Sequence, residues 1–513
     1  MPTPSLHGRS VALAASGALL AASMLTTGTA AASTATTSTT ATSETTQAST
    51  PVPVATPDGY LMSYVLNAKH ANPGQTRLIE RAVAASGGVV VQSWPQIGVV
   101  VAHSDRAAFR DTVRRLAGPA LESVGASRTA AVSEGTPQGA GASKGQASSG
   151  TTKNHAKATS GDLSTGDATS QGVVPDPRES EQWDNAQIKA DQAHQVTDGS
   201  RRVVVGVLDS GIDGSHPDLA ANVDVADSVN CTDAGRPDLT PGAWGPTTSL
   251  HGTHVAGTIA AARNGIGIVG VAPGVCLASV KVVNDDGFIY PEYAICGFVW
   301  AGMHRMDVTN NSYFIDPMEF WCDDQPDQAA VRTAVERAVS WSTGQGVVHA
   351  AAAGNSAVDL ANKTTDSGSP NDTTPVVRQI NNGCKDIPTE LPGVVTVSAT
   401  TQDTSLASFS NRGQGVIDVA APGRRVLSTI PGGGYALLSG TSMASPHVAG
   451  VLALMKSAHP RWSPAMMIQA LRAEADDHAC APAENNGGPV CTGPAPNNSY
   501  YGEGIVDALD AVR

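Results

Sequence analysis

The chain has 513 residues, with 46 Asp and Glu against 32 Lys and Arg, a net charge of −14, and only 15% charged and 4% aromatic residues beside 53 glycines. A nucleic-acid binder would carry a basic stripe, so this acidic balance argues against that class of partner. Beyond the extreme N-terminus no apolar run reaches the roughly 18 uncharged residues of a membrane-spanning helix. What remains is a soluble, acidic, Gly-rich protein with processed ends.

At the N-terminus, His7 and Arg9 precede a small and apolar run from Val11 to Leu25, and Gly28-Thr-Ala30 and Ala30-Ala-Ala32 offer small-x-small cleavage sites. Residues 1–32 therefore read as an export signal, which implies a secreted, extracellular protein. A membrane anchor is the alternative, disfavoured because the core is short and rich in Ala and Ser. Residues 33–57 are nearly all Ala, Thr, Ser and Pro and read as a linker, unable to bury enough apolar surface to order itself. The seven cysteines all lie beyond residue 230, which suits an oxidising compartment; six can pair, and the sequence alone selects no framework.

Residues 58–135 form an expected small domain. The apolar stretch Tyr60 to Leu66 predicts a strand, Gln75 to Ala85 a helix, and Val89 to Val91 and Ile97 to Ala102 two more strands. Ser104 or Asp105 can then cap a second helix through Leu116. The order β-α-β-β-α becomes a ferredoxin-like α+β unit if one more strand follows. Residues 136–175 return to Gly, Ser, Ala and Thr, a flexible linker open to proteolysis.

From 176 to 513 the pattern changes. Short apolar runs at Val203 to Leu208, Val280 to Val283, Val347 to Ala353 and Val394 to Ala399 alternate with helical stretches. One of these has Val331, Val335 and Val339 every four residues, and another is opened by Ser463-Pro464. Such alternation predicts an α/β, three-layer fold with a mainly parallel central sheet, whose ligands bind beyond the carboxyl ends of the strands.

Those ends carry polar residues. The first run closes in Asp209-Ser-Gly-Ile-Asp213; His251-Gly-Thr-His254-Val-Ala-Gly257 follows; a later run ends Ala353-Gly354-Asn355-Ser356; and near the C-terminus comes Gly440-Thr-Ser442-Met-Ala-Ser445-Pro-His447. Each fragment alone has a bland reading as a cap, a turn or a satisfied core residue. Together they supply what acyl transfer needs: a nucleophile, a base, a carboxylate to orient the base, and a donor for the oxyanion. A zinc site on His251 and His254 is disfavoured, because the metalloprotease pattern requires Glu after the first His and Gly252 stands there. The Asn-x-Ser/Thr triplets at Asn310, Asn362, Asn371 and Asn497 are read as chance in a Thr-rich chain.

In identity and order (Asp, His, Ser), these motifs over roughly residues 182 to 511 resemble a subtilisin-family serine peptidase. His251 through Pro273 and Gly440 through Gly450 follow the family pattern almost without gaps. Tyr501-Gly-Glu-Gly-Ile-Val-Asp-Ala resembles its usual C-terminus, so no further domain is expected. The small domain resembles the family's inhibitory propeptide. The resemblance implies Ser442 as nucleophile, His251 as general base, Asp209 as its orienting carboxylate and Asn355 as oxyanion donor, with His254, Ser445 and His447 structural. Pro446 is expected in the first helical turn after Ser442.

The family's substrate-binding positions fall on Ser312, Tyr313, Phe314 and Gly354. Tyr313 and Phe314 depart from the usual Ser-Leu-Gly-Gly and are expected to crowd the pocket, while uncharged Ser356 at its rim suggests apolar side chains before the scissile bond. Two segments, Phe314 to Pro326 and Ala357 to Pro392, are longer than in compact relatives, and a Cys322–Cys384 bridge is expected to tie them, with a local Cys480–Cys491 bridge and one of Cys231, Cys276 and Cys296 free. Asp218 and Asn264 match ligands of a family calcium site, with Glu179 a third and Arg263 beside Asn264 a departure; no cofactor is expected for catalysis. The chain thus reads as a secreted, monomeric endopeptidase acting on proteins or peptides, made as a zymogen whose propeptide inhibits it, with no membrane partner after processing. A non-catalytic protein on the same scaffold is the rival from another class, disfavoured because all four chemical positions are filled; an esterase or peptide ligase could use the same triad.

Overall fold

The computed structural model describes residues 47–133, 175–484 and 490–513. The expected export signal, residues 1–32, lies outside these, as do most of the two expected linkers, 33–57 and 136–175.

The first elements are β1 (Met62–Ala68), α1 (Pro73–Ala85), β2 (Gly88–Trp94), β3 (Val99–Ser104), α2 (Phe109–Ala117) and β4 (Leu121–Ala126). They form an antiparallel sheet in the order β2-β3-β1-β4, so the further strand that the sequence reading called for is β4. Asn72 caps α1 by accepting the Gln75 N–H at 2.9 Å, and Pro73 takes the first position, where its missing N–H is not needed. α2 departs from expectation: its N-cap is Ala108, which makes no side-chain bond, and Ser104 Oγ instead accepts the Arg106 N–H at 3.2 Å in the turn before the helix. Alternation along β1 decides its packing. Tyr64 and Leu66 enter the core under α1 and α2, while Val65 faces the other way and joins Trp94 and Val99 against the larger unit.

That larger unit is built on eight strands. In spatial order they are Val419–Pro422, Val394–Thr400, Val348–Ala352, Val308–Asn311, Val204–Asp209, Cys276–Lys281, Val229–Asp233 and Arg236–Asp238. Every pairing is parallel except the last. The inner strands are buried on both faces, which is why they read as unbroken apolar runs. Helices His251–Ala260 and Thr441–Ala458 cover one face, where Val205 and Val207 point; helices Pro291–Met303 and Pro326–Gly344 cover the other, where Leu208 points. The strand expected at Val280 to Val283 runs instead from Cys276 to Lys281, because it pairs residue for residue with Val204–Asp209, the Val282 N–H to the Asp209 carbonyl at 2.8 Å being the last bond of that ladder. Chain order diverges on the two sides of Val204–Asp209, which opens a crevice at its carboxyl end.

Disulfides join Cys231 to Cys296, Cys322 to Cys384 and Cys480 to Cys491, and Cys276 is buried and free. Cys322 and Cys384 lie opposite each other on two short paired strands, joining the two long segments. Within residues 357–392 the ion pairs Arg378–Asp366 and Lys363–Glu390 are almost fully buried.

The small sheet and the large unit pack as parts of one compact unit, Thr46–Arg513. Beyond the apolar contact, Asn67 Nδ2 donates to the Ala330 carbonyl at 2.8 Å, and Asp327 accepts from Arg110 and from the Ala126 N–H. After β4, Arg128 is buried against Glu292: the charges are 2.7 Å apart, and the guanidinium lies 3.7 Å from the Tyr290 ring centroid. Ser63 Oγ donates to the same carboxylate at 2.9 Å. The next residues are held by Asp372, which accepts the Thr129 and Ala130 N–H groups at 2.9 and 3.0 Å. Arg128→Ala would leave Glu292 buried without this cation, at a cost of about 3–5 kcal/mol. In a Ser442→Ala background, thermolysin should then degrade residues 58–133 faster than in the parent chain; equal rates would show that the pair does not hold this unit in place.

Candidate active site

Asp209 closes one strand and His251 opens the His251–Ala260 helix. Their side chains meet in the crevice, with His251 Nδ1 at 2.8 and 2.9 Å from the two Asp209 oxygens, and both residues are buried. A carboxylate at Nδ1 holds the proton on that nitrogen and makes Nε2 the basic one. The Ser210 N–H donates to Asp209 Oδ1 at 2.7 Å, and Ser210 Oγ accepts the Gly252 N–H at 3.0 Å, tying strand end to helix start. Only glycine fits at 252, since a Cβ there would lie 2.5 Å from the Gly211 carbonyl oxygen and 3.1 Å from Asp209 Oδ1.

Ser442 is the second residue of the Thr441–Ala458 helix, which packs against the His251 helix. Peptide dipoles at this helix start favour negative charge nearby. Ser442 Oγ donates to the Ser312 carbonyl at 3.3 Å, and Ser312 Oγ donates back to the Ser442 carbonyl at 2.9 Å. Pro446 corrects the sequence reading: it stands inside the helix, past the first turn. Its ring nitrogen has no proton for the Ser442 carbonyl four residues earlier, and Ser312 Oγ supplies that bond.

Asn355 Oδ1 accepts from the Thr441 N–H at 2.8 Å and from Thr441 Oγ1 at 2.9 Å. This fixes the amide with its oxygen inward and reserves Nδ2 for donation elsewhere. Thr441 Oγ1 also accepts the Gly354 N–H at 3.1 Å. Thr441 was not singled out from sequence; its place beside Ser442 was visible, but its bond to a residue 86 positions away was not.

Among the expected substrate-contacting residues, Ser312 and Gly354 border this site through the bonds just given. Tyr313 does not present its side chain there. It is buried in the core beneath the Pro291–Met303 helix, and its hydroxyl donates to Asn311 Oδ1 at 3.0 Å. Burial, with Asp209 nearby, pushes its phenol pKa far up. Phe314 is half-buried. The expected crowding by Tyr313 is therefore corrected: strand-like alternation after Asn311 turns that side chain into the core.

His254, Ser445 and His447 are engaged elsewhere. His254 Nε2 lies 3.2 and 3.0 Å from the Val426 and Ala436 carbonyls, and burial pushes its pKa down to about 3. Ser445 Oγ donates to Asn310 Oδ1 at 2.7 Å, and His447 joins the Met443 carbonyl and Asp184 at 2.7 and 3.0 Å.

Asp218 and Asn264 come together through a side-chain hydrogen bond, but Glu179 does not join them in the expected calcium site. Glu179 is paired with Arg263 at 2.6 Å, and Arg263 also reaches Asp198. Asn264 is exposed, with Oδ1 accepting the Ile266 N–H and Nδ2 donating to the Pro217 carbonyl. Asp218 Oδ2 accepts from the Tyr435 hydroxyl at 2.7 Å and the Ile268 N–H at 3.0 Å. Among the described residues no group of three or more His, Cys, Asp or Glu is placed to hold a metal ion. The guanidinium of Arg263 has taken the carboxylate that a cation would need.

Burial pushes the Asp218 carboxyl up to about 6, against the lowering effect of its bonds from Tyr435 and Ile268. The unfolded chain releases this proton near pH 3.9, so the native state binds it more tightly. The resulting stability is fully present below about pH 4 and is lost as pH rises through 6. Thermal midpoints measured from pH 4 to 7 should therefore fall less in Asp218→Asn than in the parent chain; parallel curves would refute this assignment.

The subtilase family model matches residues 200–502. The chain is 36% identical to subtilisin E of Bacillus subtilis (strain 168) over 330 residues, 64% of this chain and 70% of that protein. It is 38% identical to a subtilisin of Bacillus pumilus over 330 residues, 64% of this chain and 97% of that one. Among solved structures, fervidolysin from Fervidobacterium pennivorans aligns with a TM-score of 0.59 and 23% identity over 88% of this chain and 61% of its own. The epidermin leader peptide processing serine protease of Staphylococcus aureus aligns with a TM-score of 0.61 and 21% identity over 88% of this chain and 98% of its own, and these two likenesses bear on the fold alone. The chain belongs to the subtilase family and is a subtilisin-like serine endopeptidase.

Proposed function

We propose that the protein is a secreted zymogen that hydrolyses peptide bonds through an acyl-enzyme on Ser442. In this reading residues 1–32 direct export, 33–57 are a linker, 58–135 are the inhibitory propeptide, 136–175 contain the processing site, and 176–513 are the catalytic domain, active as a monomer on protein or peptide substrates. The observation that carries it is the Asp209–His251 contact at 2.8 Å, which leaves Nε2 as a base. His251 Nε2 takes the Ser442 hydroxyl proton as Oγ attacks the substrate carbonyl, and returns it to the leaving amine. Asp209 holds the imidazole in that tautomer and offsets the charge it gains. The oxyanion receives Asn355 Nδ2 and the Ser442 N–H, both fixed before reaction, the first by Thr441 and the second by the helix start. No cofactor is invoked for these steps.

The inhibitor reading of the small unit draws on its grip by the large one: an apolar sheet face, the Arg128–Glu292 pair and the Asp372 bonds to the residues after β4.

Ser442→Ala is expected to accumulate as an unprocessed precursor, with activity reduced on the order of 10⁶-fold, the loss found when the nucleophile of a subtilisin is removed. Intact mass and casein hydrolysis report this, and a variant that matures by itself and cleaves casein would exclude the mechanism. Removing one oxyanion donor from a subtilisin lowers kcat about 10²–10³-fold; Asn355→Leu should do the same here. Thr441→Val should lower kcat in the same direction with KM little changed, because it frees the Asn355 amide rather than deleting it. Comparing a protein substrate with a simple ester separates peptidase from esterase action.

A further inference from the structure

Gly354 precedes the proposed oxyanion residue and gives its N–H to Thr441, the neighbour of Ser442. It has φ +99°, and a Cβ built there would meet Asn411 Nδ2 at 2.3 Å and Asp386 Oδ2 at 3.3 Å. The Asp386 carboxylate therefore lies beside the backbone that leads into the proposed oxyanion residue, with the Asn411 amide packed against the same glycine. Asp386 is 1% exposed, and its Oδ1 has no hydrogen-bond partner among the described residues.

The polar groups around Asp386 are committed elsewhere. Its own N–H donates to Glu390 Oε2 at 2.8 Å. Lys363, whose charge acts on it, is paired with Glu390 at 2.7 Å and donates to the Leu360 carbonyl at 2.6 Å. Asn411, also against Gly354, gives Nδ2 to the Ala353 carbonyl at 2.7 Å and takes the Ser356 and Val358 N–H groups on Oδ1. A buried carboxylate oxygen without a donor, with the nearest cation already paired to another acid, is among the unfavourable groups to keep inside a protein. Burial, then Glu319 and Glu390, push this carboxyl well above its ordinary range, while Lys363 pulls it down, so an arriving cation displaces a proton.

We propose that Asp386 forms the floor of the specificity pocket and selects a lysine or arginine side chain on the residue whose carbonyl is attacked. The proposal rests on Ser442 being the nucleophile, and it reverses the apolar preference expected from Ser356. Ser356 is exposed at the rim, where solvent screens whatever it offers; the buried acid decides. An ammonium supplies three donors and a guanidinium five, and either satisfies Oδ1 while neutralising its charge.

The test is a peptide library varied only at the residue before the scissile bond, cleaved by mature enzyme prepared from the full chain. The parent enzyme should favour Lys and Arg over Leu and Phe in kcat/KM, and in Asp386→Asn that ratio should fall about 100-fold, the scale of losing a buried charge partner. A parent enzyme that favours Leu or Phe, or an unchanged ratio in the variant, overturns the proposal. Asp386→Gly makes the same comparison if the Asn variant does not fold. Benzamidine, a planar cation, should raise the thermal midpoint of the parent saturably and leave Asp386→Asn unmoved; equal responses overturn the proposal independently of catalysis. If a fluorophosphonate does not label Ser442, the nucleophile reading fails and the benzamidine measurement alone decides on Asp386. If Ser442 is labelled and the ratio does not move, only the Asp386 proposal falls.

Discussion

The contact between the Asp209 carboxylate and the His251 imidazole requires a strand end and a helix start to approach within hydrogen-bond distance, and that requirement shapes the residues around it. Gly252 has no side chain because the Gly211 carbonyl occupies the place where one would go. Ser210 bonds across the gap, joining the same two elements a second time. The Thr441–Ala458 helix meets the same crevice by its N-terminus, with Pro446 inside it and Ser312 supplying the bond that proline cannot. Gly252 and Ser210 serve the approach of strand end to helix start, and Ser312 secures the start of the neighbouring helix.

Buried charge is handled in two ways in this molecule. Arg128 with Glu292, Arg378 with Asp366, and Lys363 with Glu390 are pairs whose side chains are at most 1% exposed, so each carries its own compensation. The first pair joins two segments that the proposed maturation separates, and the others brace the long segment between Ala357 and Pro392. Asp386, in that same segment, is left without a hydrogen bond on Oδ1 among the described residues. The difference sets structural charges apart from one held for a ligand.

Much of the fold was legible because it follows from local rules. Apolar runs such as Val347 to Ala353 are strands buried on both faces, Ser463-Pro464 opens a helix with the Ser463 hydroxyl accepting the Met466 N–H, and the fourfold valine spacing marks the buried stripe of Pro326–Gly344. The four residues proposed for the chemistry were legible for a different reason: each sits in a short Gly-rich motif whose type and order are specific together. The expectations that failed concern side-chain direction and partner choice. Tyr313 turned inward, and Arg263 claimed Glu179, because both outcomes depend on residues distant in sequence.

By itself the sequence determined the alternating α/β pattern, the motif order Asp209, His251, Asn355 and Ser442, the small unit ahead of them and the confinement of cysteine to the larger one. These are properties of neighbours along the chain, where periodicity and motif spacing speak directly. The tertiary structure decided that Cys231 pairs with Cys296 and leaves Cys276 buried, that Thr441 orients Asn355, that Arg128 is held by Glu292, and that Asp386 lies beside Gly354. Each of those is a contact between segments far apart in the chain, and its energy comes from excluding water and pairing polar groups in a shared interior that no local stretch specifies.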